Sequence, residues 1–500
     1  MKSIVAVYLM ISLFFMCNAQ QITFSKAIDV GGLEIGWNVF ATEDGYYICG
    51  NTSLDTPEYH ILTAITKTNL EGEVEWVNTH GNPDVNLYPG NSSWEMNEQN
   101  EFIVGGSIQY KDGSASQVFL SKFDALGDTV FINTIGIPGF WTIGQDVIKT
   151  HDGGYAAIGR TKSGGDNVFL VKVDSLGNFM WQNIYGTNFT YNAGGSIQLG
   201  SNGNLYLGCT YNEEKGWLIK IDSLGNILWD KIFEDENYST SSLYNIIVLE
   251  NNDIVFSQIV RPGNTVFAGL TRLRRLTSEG DSVWTKMLPF DEYEEHDVRS
   301  IRELSNGDIV IAGTYKNMDM SPQILGGWIA RMDANGNILW TRRYKYEESP
   351  LYPIHAYFYD VKPTPDNGFI LTGHTVYNDQ DIWLVKLDSM GCLEPGCHID
   401  TSDTVGVIDI SPQYLQSKVY PNPFSGQAVI EVALDGRPAH DAICRIYDIQ
   451  GKVVKELKTK ADNQETLTYR LDKPMLQAGI YFYKVVSKHE VIARGKLVKE

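Results

Sequence analysis

Residues 168–181 read Val-Phe-Leu-Val-Lys-Val-Asp-Ser-Leu-Gly-Asn-Phe-Met-Trp. The run from Val168 to Val173 is rich in β-branched and aromatic residues and is bounded by turn residues, which is typical of a β-strand. The segment from Asp174 to Gly177 then has the composition of a type I turn with a glycine in the left-handed region, which leads into the next strand. The stretch therefore predicts a β-hairpin that runs into Trp181.

The same strand, turn and aromatic residue return along the chain at a nearly constant spacing. The turn glycines, spaced 55, 50, 48, 55, 56 and 55 residues apart, are Gly72, Gly127, Gly177, Gly225, Gly280, Gly336 and Gly391. A period near 50 residues is typical of propellers, solenoids and other repeat arrays. A large aromatic residue four positions after the glycine is interpreted as a residue that packs neighbouring units. The tryptophans at this position are Trp76, Trp181, Trp229, Trp284 and Trp340.

Each unit contains enough short strands for one four-stranded sheet. A further turn and strand precede each hairpin, as in residues 152–159 ahead of Val168. With the segment before it, each unit has four strands and almost no helical periodicity. Four-stranded sheets repeated around an axis form a β-propeller, which leaves only short, protected sheet edges. The sequence therefore predicts an all-β, seven-bladed β-propeller over residues 20–397.

The two ends of the repeat array complement each other. The seventh unit stops soon after Gly391, before its fourth strand. Residues 22–28 resemble that missing strand, with Phe24 at the position of Trp181. We therefore expect the N-terminal strand to complete the last blade and close the ring, which removes an unpaired edge. Cys392 and Cys397 stand at the end of the array, and in an exported chain they are candidates for a local disulfide.

The composition narrows the class of protein. The 500 residues carry a formal charge of -21 and are 43% hydrophobic, which excludes a disordered chain and argues against a nucleic-acid binder. Six cysteines are too few for a disulfide scaffold of this length. The histidines are scattered without metal-ligand spacing, and no Gly-x-Ser-x-Gly or phosphate-loop motif is present. We therefore predict no metal, no cofactor and no catalytic residue.

The N-terminal residues predict export. Lys2 precedes an apolar run over residues 4–16, and the small residue Ala19 follows, so residues 1–19 have the form of a signal peptide. Cys17 leaves a lipoprotein signal as the alternative, but Met16 stands where that signal prefers a small residue. No later segment reaches the ~18 uninterrupted apolar residues that a membrane span requires.

Four short motifs follow one another in residues 418–500. They are Pro421-Asn422-Pro423, Gly451-Lys452, Gly479 with Tyr481, and Gly495-Lys496. They resemble the type A sorting domain of the type IX secretion system, and the upstream units resemble propeller repeats common in secreted proteins of Bacteroidota. The resemblance implies a small immunoglobulin-like β-sandwich that the outer-membrane translocon recognises and its sorting peptidase removes. Residues 398–417 would then be a linker, and the protein is expected to be secreted or anchored at the outer cell surface.

A small polar residue recurs on the predicted innermost strand of every unit, nine positions before an apolar residue of the second strand. These residues are Asn38, Ser93, Asp146, Ser196, Asn245, Ser300 and Asp360. One interpretation is a ring of hydrogen bonds between blades, since buried polar groups need partners. The other is a polar collar at the mouth of the channel that binds a ligand or ion, with Asp146 and Asp360 as its charged members.

Two functions fit these features. The first is non-catalytic binding of a glycan, a peptide or a surface partner, because no acid/base or nucleophile constellation can be named. The alternative is an exported propeller enzyme, a quinoprotein-like oxidoreductase or a polysaccharide-acting enzyme, with its site in the central channel. The fold hosts both classes. An aromatic cluster either forms a carbohydrate-binding rim or only orders its own loop, and its members are Tyr352, Tyr357, Phe358 and Tyr359.

Overall fold

A computed structural model describes most of the chain. The described residues are 22–54, 60–186, 191–212, 215–234, 238–240, 243, 245–262, 270–288, 294–317, 325–346, 355–376, 380–394, 397, 417–434, 442–448, 452–458, 466–472, 476–487 and 490–499. The predicted signal peptide and residues 398–416 of the predicted linker lie outside these ranges. The described residues form strands, turns and loops without a helix, which confirms the all-β prediction. None of them forms a helix long and apolar enough to cross a membrane. The chain divides into two compact units, residues 1–407 and residues 408–500.

The first unit begins with four sheets of four antiparallel strands, each built from strands that are consecutive in the chain. The first sheet contains β2 (Leu33–Thr42), β3 (Gly45–Leu54), β4 (His60–Thr68) and β5 (Val74–His80). The second contains β6 (Val85–Met96), β7 (Phe102–Tyr110), β8 (Gln117–Phe123) and β9 (Thr129–Ile135). The third contains β10 (Thr142–Lys149), β11 (Tyr155–Thr161), β12 (Asn167–Val173) and β13 (Phe179–Tyr185). The fourth contains β14 (Ala193–Leu199), β15 (Leu205–Tyr211), β16 (Lys215–Ile221) and β17 (Ile227–Phe233).

The remaining sheets of the first unit vary the same plan. A five-stranded sheet contains β18 (Tyr238–Thr240), β19 (Ile246–Val248), β20 (Ile254–Pro262), β21 (Leu270–Leu276) and β22 (Ser282–Met287), and both β18 and β19 pair with β20. A nine-stranded sheet follows. Its strands are β23 (Glu294–His296), β24 (Ser300–Glu303), β25 (Ile309–Asn317), β26 (Leu325–Met332), β27 (Ile338–Tyr344), β28 (His355–Pro363), β29 (Phe369–Val376), β30 (Gln380–Leu387) and β1 (Phe24–Ile28). One parallel pair, Leu325 with His355, joins its two halves, so each half keeps the blade-like antiparallel arrangement.

The N-terminal strand β1 lies at the outer edge of the last group of strands. It pairs antiparallel with β30, and the register joins Phe24 to Lys386 and Ile28 to Ile382. The Trp383 indole N–H donates to Ser25 Oγ at 2.9 Å. Ile28 and Ile382 share one buried cluster with residues of β2 and β3, which means that the end of the unit packs against its beginning.

The repeated turns place six of the seven glycines against an aromatic ring of a neighbouring group of strands, whereas Gly280 lies against the Lys231 side chain. All seven turn glycines have φ between +71° and +85°, a region that glycine enters readily and that strains other residues. A Cβ added at Gly127 would lie 3.2 Å from the Trp76 ring, and one at Gly72 would lie 2.7 Å from the Phe24 ring. The turn therefore needs glycine both for its backbone and for the close approach of the ring.

Apolar side chains fill the space between neighbouring sheets. Ile158 and Leu170 of the third sheet are 0% exposed and belong to the same cluster as Leu207 and Ile219 of the fourth sheet. Alternate residues of a strand face opposite sides of its sheet, so a strand covered on both sides is apolar on both. This explains why β12 is buried at every position.

The second unit consists of two antiparallel sheets around one core. The first sheet contains β31 (Ser417–Tyr420), β32 (Ala428–Ala433) and β35 (Thr466–Leu471). The second contains β33 (Ile443–Tyr447), β34 (Val453–Lys458), β36 (Gly479–Ser487) and β37 (Glu490–Lys499). Ile430 and Tyr469 of the first sheet pack with Cys444 and Val485 of the second in a single buried cluster.

Candidate ligand-binding site

A β-bulge fixes the orientation of four of the predicted collar residues. In β2 the register with β3 shifts between Gly36 and Asn38, so Trp37 is the extra residue. The corresponding shifts in β10, β14 and β28 end at Asp146, Ser196 and Asp360. A bulge bends its strand and redirects the side chains beside it. The collar residue therefore stands at the same point of the fold in each of these sheets.

Three collar side chains accept a hydrogen bond from the backbone beside the next collar residue. Asp146 Oδ2 accepts the Ile197 N–H at 2.9 Å, and Ser300 Oγ accepts the Val361 N–H at 3.3 Å. Asp360 Oδ2 accepts the Val39 N–H at 3.3 Å, which continues the pattern from β28 to β2. In each case the donor is the residue that follows the next collar residue. These contacts support the interpretation of a hydrogen-bond ring, because each one satisfies a buried amide.

Three further collar side chains form different hydrogen bonds. Asn38 Nδ2 donates to Asp360 Oδ2 at 3.4 Å. Ser93 Oγ donates to the Gly90 carbonyl oxygen in its own strand at 2.7 Å. The Asn245 side-chain amide donates to the Val298 carbonyl oxygen of the neighbouring sheet.

The two collar aspartates have opposite electrostatic surroundings. Burial raises the pKa of Asp146 well above its usual range, and the nearby Glu95 adds to this, against the hydrogen bond from the Ile197 amide. Burial also tends to raise the pKa of Asp360, but the positive charges of Arg302 and Lys362 outweigh it, and the net pKa lies below the usual value. The positive charges beside Asp360 favour its ionised form, whereas burial disfavours the ionised form of Asp146.

A cavity of about 250 Å³ lies beside the collar. Four collar residues line it, and they are Asn38, Asp146, Ser196 and Asn245. Ser93, Ser300 and Asp360 are not among the described residues that line it. Asp360 instead accepts hydrogen bonds from Ser300 Oγ at 2.7 Å and from Arg302 Nη2 at 2.6 Å. The structure thus brings part of the predicted collar to the cavity and places the rest behind the cavity wall.

A second set of residues lines the same cavity, each two positions after a collar residue. The set consists of Glu95, Gln198, Ile247, Arg302 and Lys362. Residues two apart in a strand share one face of the sheet, so this position follows directly from the collar position. The sequence analysis missed these residues because their chemistry differs from one unit to the next. The period of two residues along the strand was the available signal.

The cavity combines acidic and basic groups in a confined space. Burial raises the pKa of Glu95, although the charges of Lys362 and Arg302 oppose the shift. Burial lowers the pKa of Lys362, and the like charge of Arg302 adds to this. Charged groups of both signs, which include hydrogen-bond donors and acceptors, therefore face one small volume. This arrangement suits a ligand that can both donate and accept hydrogen bonds.

An aromatic group lies at the bulges of β2 and β28. The Trp37 and Tyr359 rings are 4.5 Å apart, and the Tyr357 ring stacks on His374 at 4.5 Å. Phe358, which the sequence placed in the same cluster, is 0% exposed and belongs to the core. Tyr352 lies outside the described residues. None of the described members of this aromatic group lines the 250 Å³ cavity.

His374 makes the stability of the first unit depend on pH. Burial lowers the pKa of His374 to about 4, and the nearby His355 adds to the shift. The ordinary pKa of histidine is about 6.5, so the neutral ring contributes its full stability above pH 6.5, and this stability is lost as the pH falls toward 4. A difference of roughly 2.5 pK units corresponds to about 3 kcal/mol. We expect His374→Gln to remove this loss, as measured by urea unfolding at pH 7 and pH 4.

A substitution at the exposed His151 provides the control, because its ring stays hydrated in the folded protein. His151→Gln should leave the pH profile of the wild type unchanged. If the free energy of unfolding falls by the same amount between pH 7 and pH 4 in His374→Gln and in the wild type, His374 does not cause the loss of stability.

Most of the described sorting-motif residues of the second unit lie at one hairpin, and Lys452 lies elsewhere, just before β34. Gly479 and Tyr481 lie in β36, and Tyr481 pairs with Leu497 of β37. Asn422 holds the adjacent backbone, since its Oδ1 accepts the Val498 N–H at 2.8 Å and its Nδ2 donates to the Lys496 carbonyl oxygen at 3.0 Å. Pro421 and Pro423 flank Asn422, and Gly495 lies one residue before Lys496 in β37. Lys452 donates its backbone N–H to Asp448 Oδ1, and Gly451 lies outside the described residues.

The cysteines take two forms in the structure. Cys392 and Cys397 form a disulfide with a Cα–Cα distance of 5.6 Å. Three further cysteines are buried free thiols, and they are Cys49, Cys209 and Cys444.

Comparison with known proteins defines the second unit. Residues 418–500 match the family model described as a secretion system C-terminal sorting domain. The tail is therefore a sorting domain of the type IX secretion system, as the motifs predicted. A chain that carries such a tail is secreted or attached to the outer cell surface, and the tail interacts with the type IX secretion machinery. No curated protein matches the chain.

Several solved structures are similar to the chain at low identity. PorZ, a bacterial surface component of the type-IX secretion system of Porphyromonas gingivalis, is 13% identical with a TM-score of 0.32, covering 93% of this chain and 70% of that chain. A protein of unknown function from Dyadobacter fermentans is 12% identical with a TM-score of 0.37, covering 61% of this chain and 100% of that chain. A fungal alcohol oxidase of the AA5 family, in complex with copper, is 11% identical with a TM-score of 0.40, covering 95% and 98%. TM-scores of this size carry no argument about function.

Proposed function

We propose that the protein is an exported seven-bladed β-propeller that binds a small polar ligand in its central cavity without catalysis. Two contacts support the closed ring. Asp360 of β28 accepts the Val39 amide of β2, and the Phe24 ring packs on the Gly72 turn of the first sheet. The proposal includes the domain boundaries, with the propeller over residues 20–397, the linker over 398–417 and an immunoglobulin-like sorting domain over 418–500.

The mixed lining of the cavity carries the proposal of a binding function. Glu95 and Glu303 supply carboxylates, while Arg302 and Lys362 supply cations, and the amide of Gln198 adds a donor and an acceptor. Pockets for drug-sized ligands have volumes of roughly 300–1,000 Å³, so a cavity near 250 Å³ suits a smaller group. A ligand larger than this cavity would therefore place only one end inside it.

We propose a terminal sugar residue of a glycan as that group. Each sugar hydroxyl both donates and accepts a hydrogen bond, and the lining provides charged acceptors and charged donors side by side. Hydrogen bonds to charged groups contribute about 1.5–3 kcal/mol each, so a few of them give a useful affinity when the rest of the glycan stays in water. A purely anionic ligand would be repelled by Glu95 and Glu303. A purely cationic ligand would be repelled by Arg302 and Lys362.

We expect the purified protein to bind glycans on an array, and we expect the Glu95→Gln and Lys362→Met variants to bind at least about tenfold more weakly. The loss of one charged hydrogen bond, about 1.5 kcal/mol, corresponds to that factor. Affinity is measured by calorimetry with the best glycan from the array. Melting temperatures of the variants show whether the fold is intact.

The exposed residues Glu98 and Lys162 provide matched controls. Glu98→Gln and Lys162→Met should retain wild-type affinity. Binding of peptides in place of glycans would overturn the ligand class. Release of reducing ends or another product during incubation would overturn the absence of catalysis and favour the enzyme alternative.

A further inference from the structure

Three carboxylates meet where the chain enters the first sheet. Asp29 directly follows β1, Glu34 lies in β2, and Asp381 lies in β30. One carboxylate oxygen from each lies within 4.8 Å of those of the other two. The three residues come from the N-terminal strand connection, the first sheet and the last sheet. The cluster lies next to the pairing of β1 with β30, in which Ile28 pairs with Ile382.

Glu34, whose carboxylate belongs to this cluster, has one oxygen without a hydrogen-bond partner among the described residues. The residue is 0% exposed, and its Oε1 accepts a hydrogen bond from Thr52 Oγ1 at 3.2 Å. Its Oε2 has no hydrogen-bond partner among the described residues. A buried carboxylate oxygen without a partner is costly, since it has lost its water without compensation. The neighbouring charges of Asp29 and Asp381 are negative and increase this cost.

Asp29 connects the cluster to solvent. Its side chain is exposed, and Oδ1 accepts the Gly31 N–H at 2.8 Å, which orients the carboxylate. Glu34 is buried, Asp381 is half-buried and Asp29 is exposed, so the cluster extends from the protein interior to the surface. An ion can enter from the Asp29 side and keep part of its water shell there.

We propose that Asp29, Glu34 and Asp381 bind a calcium ion that ties the ends of the ring together. All three ligands are carboxylates, which hard cations prefer, whereas zinc sites in proteins favour nitrogen and sulfur. Calcium accepts six to eight oxygens in flexible geometry, so three carboxylates and waters complete its shell. Magnesium requires near-octahedral geometry and releases its water reluctantly, so this cluster should bind it more weakly than calcium.

The ion would bridge segments that come together only in the folded ring. A ligand that binds the folded state alone stabilises it in proportion to the logarithm of its concentration. Extracellular calcium sites typically have dissociation constants of about 0.1–1 mM. The purified full chain, stripped with chelator and then given 10 mM CaCl₂, should therefore show a rise in Tm of about 2–3 °C.

Glu34→Gln removes the charge, keeps the shape of the side chain and should abolish the calcium-dependent rise in Tm. Glu43→Gln, an exposed substitution in the turn after the same strand, should keep the full rise. Calorimetry should show one calcium site in the wild type and none in Glu34→Gln, and 10 mM MgCl₂ should give the smaller shift. If Glu34→Gln fails to fold, Asp381→Asn takes its place in both measurements.

Two outcomes would overturn the proposal. One is a wild-type protein whose Tm and calorimetric trace do not respond to CaCl₂. The other is an equal response in the wild type and in both cluster variants. The glycan measurements are independent of these results, because the cavity residues and the carboxylate cluster are different groups.

Discussion

Deletion of residues 22–28 is expected to lower the Tm of the first unit by about 10 °C or more, or to prevent its folding. The deletion removes β1, and with it the partner that covers the edge of β30 and the bond from Trp383 to Ser25. Full burial of a side chain such as Ile28 contributes about 1.5–3 kcal/mol and the partly buried Phe24 contributes less, against a typical total stability of about 5–15 kcal/mol. Calorimetry of the full chain with and without these residues measures the effect.

A single substitution in the same strand separates this effect from loss of surface charge. Lys26 forms an exposed ion pair with Glu73, and such pairs contribute about 0–1 kcal/mol. Lys26→Ala should therefore shift the Tm by no more than a few degrees, about 3 °C at most. An unchanged Tm after deletion of residues 22–28 would show that β1 does not close the ring.

Asp360→Ala is expected to cost about 3–5 kcal/mol of unfolding free energy, because it leaves a buried charge network without its anion. Asp360 is 1% exposed and accepts hydrogen bonds from Ser300 and Arg302 on one side and from the Val39 amide on the other. Arg302 is partly exposed, so it recovers some hydration and the lower end of that range is expected. Urea unfolding at pH 7 measures the change.

The pH dependence of this effect has a defined sign. The pKa of Asp360 is lowered in the folded protein, so its contribution is full above the ordinary pKa of about 3.9 and is lost as the pH falls through the folded value. The difference between the wild type and Asp360→Ala should therefore shrink at acid pH. Asp281→Ala, in an exposed turn, should change the free energy by about 0.5 kcal/mol or less. A cost for Asp360→Ala no larger than this control would refute the assigned role.

The repeat and the pairing of the N-terminal strand with the last strand of the first unit could be predicted from the sequence because the turns require particular residues. A glycine with positive φ that also contacts a ring tolerates few substitutions, and the aromatic residue follows it at a fixed distance of four positions, as Phe131 follows Gly127 and Trp181 follows Gly177. Phe24 stood out by the same comparison, since it occupies an aromatic position outside the array. The four-stranded antiparallel sheets follow from that pattern.

The lining of the cavity could not be predicted in the same way. The collar residues are small and polar in every unit because they bond to backbone groups, which all units share. The residues two positions later line the cavity, and Glu95, Ile247 and Lys362 share no property that a repeat comparison detects. The β-bulge before Asp360 depends on pairing with β29, and it separates Phe358 in the core from Tyr359 beside Trp37.

The carboxylate cluster could not be predicted from the sequence, for a different reason. Asp29 and Asp381 lie near opposite ends of the first unit in sequence, and only the pairing of β1 with β30 brings them together. Glu34 is a charged residue in a strand, and nothing in its sequence neighbourhood indicates that it is fully buried.

The pairing of β1 with β30 also sets the order in which this molecule can form. Trp383 and Ser25 are 358 positions apart, so their bond cannot exist until nearly all of the first unit has been synthesised and its last sheet assembled. Contacts between such distant segments slow folding, because the chain must lose much of its freedom before they form. Strand β1 can therefore take its place only after β30 has been made. Until then the edge of β30 is unpaired, and an unpaired strand edge is open to association with other copies.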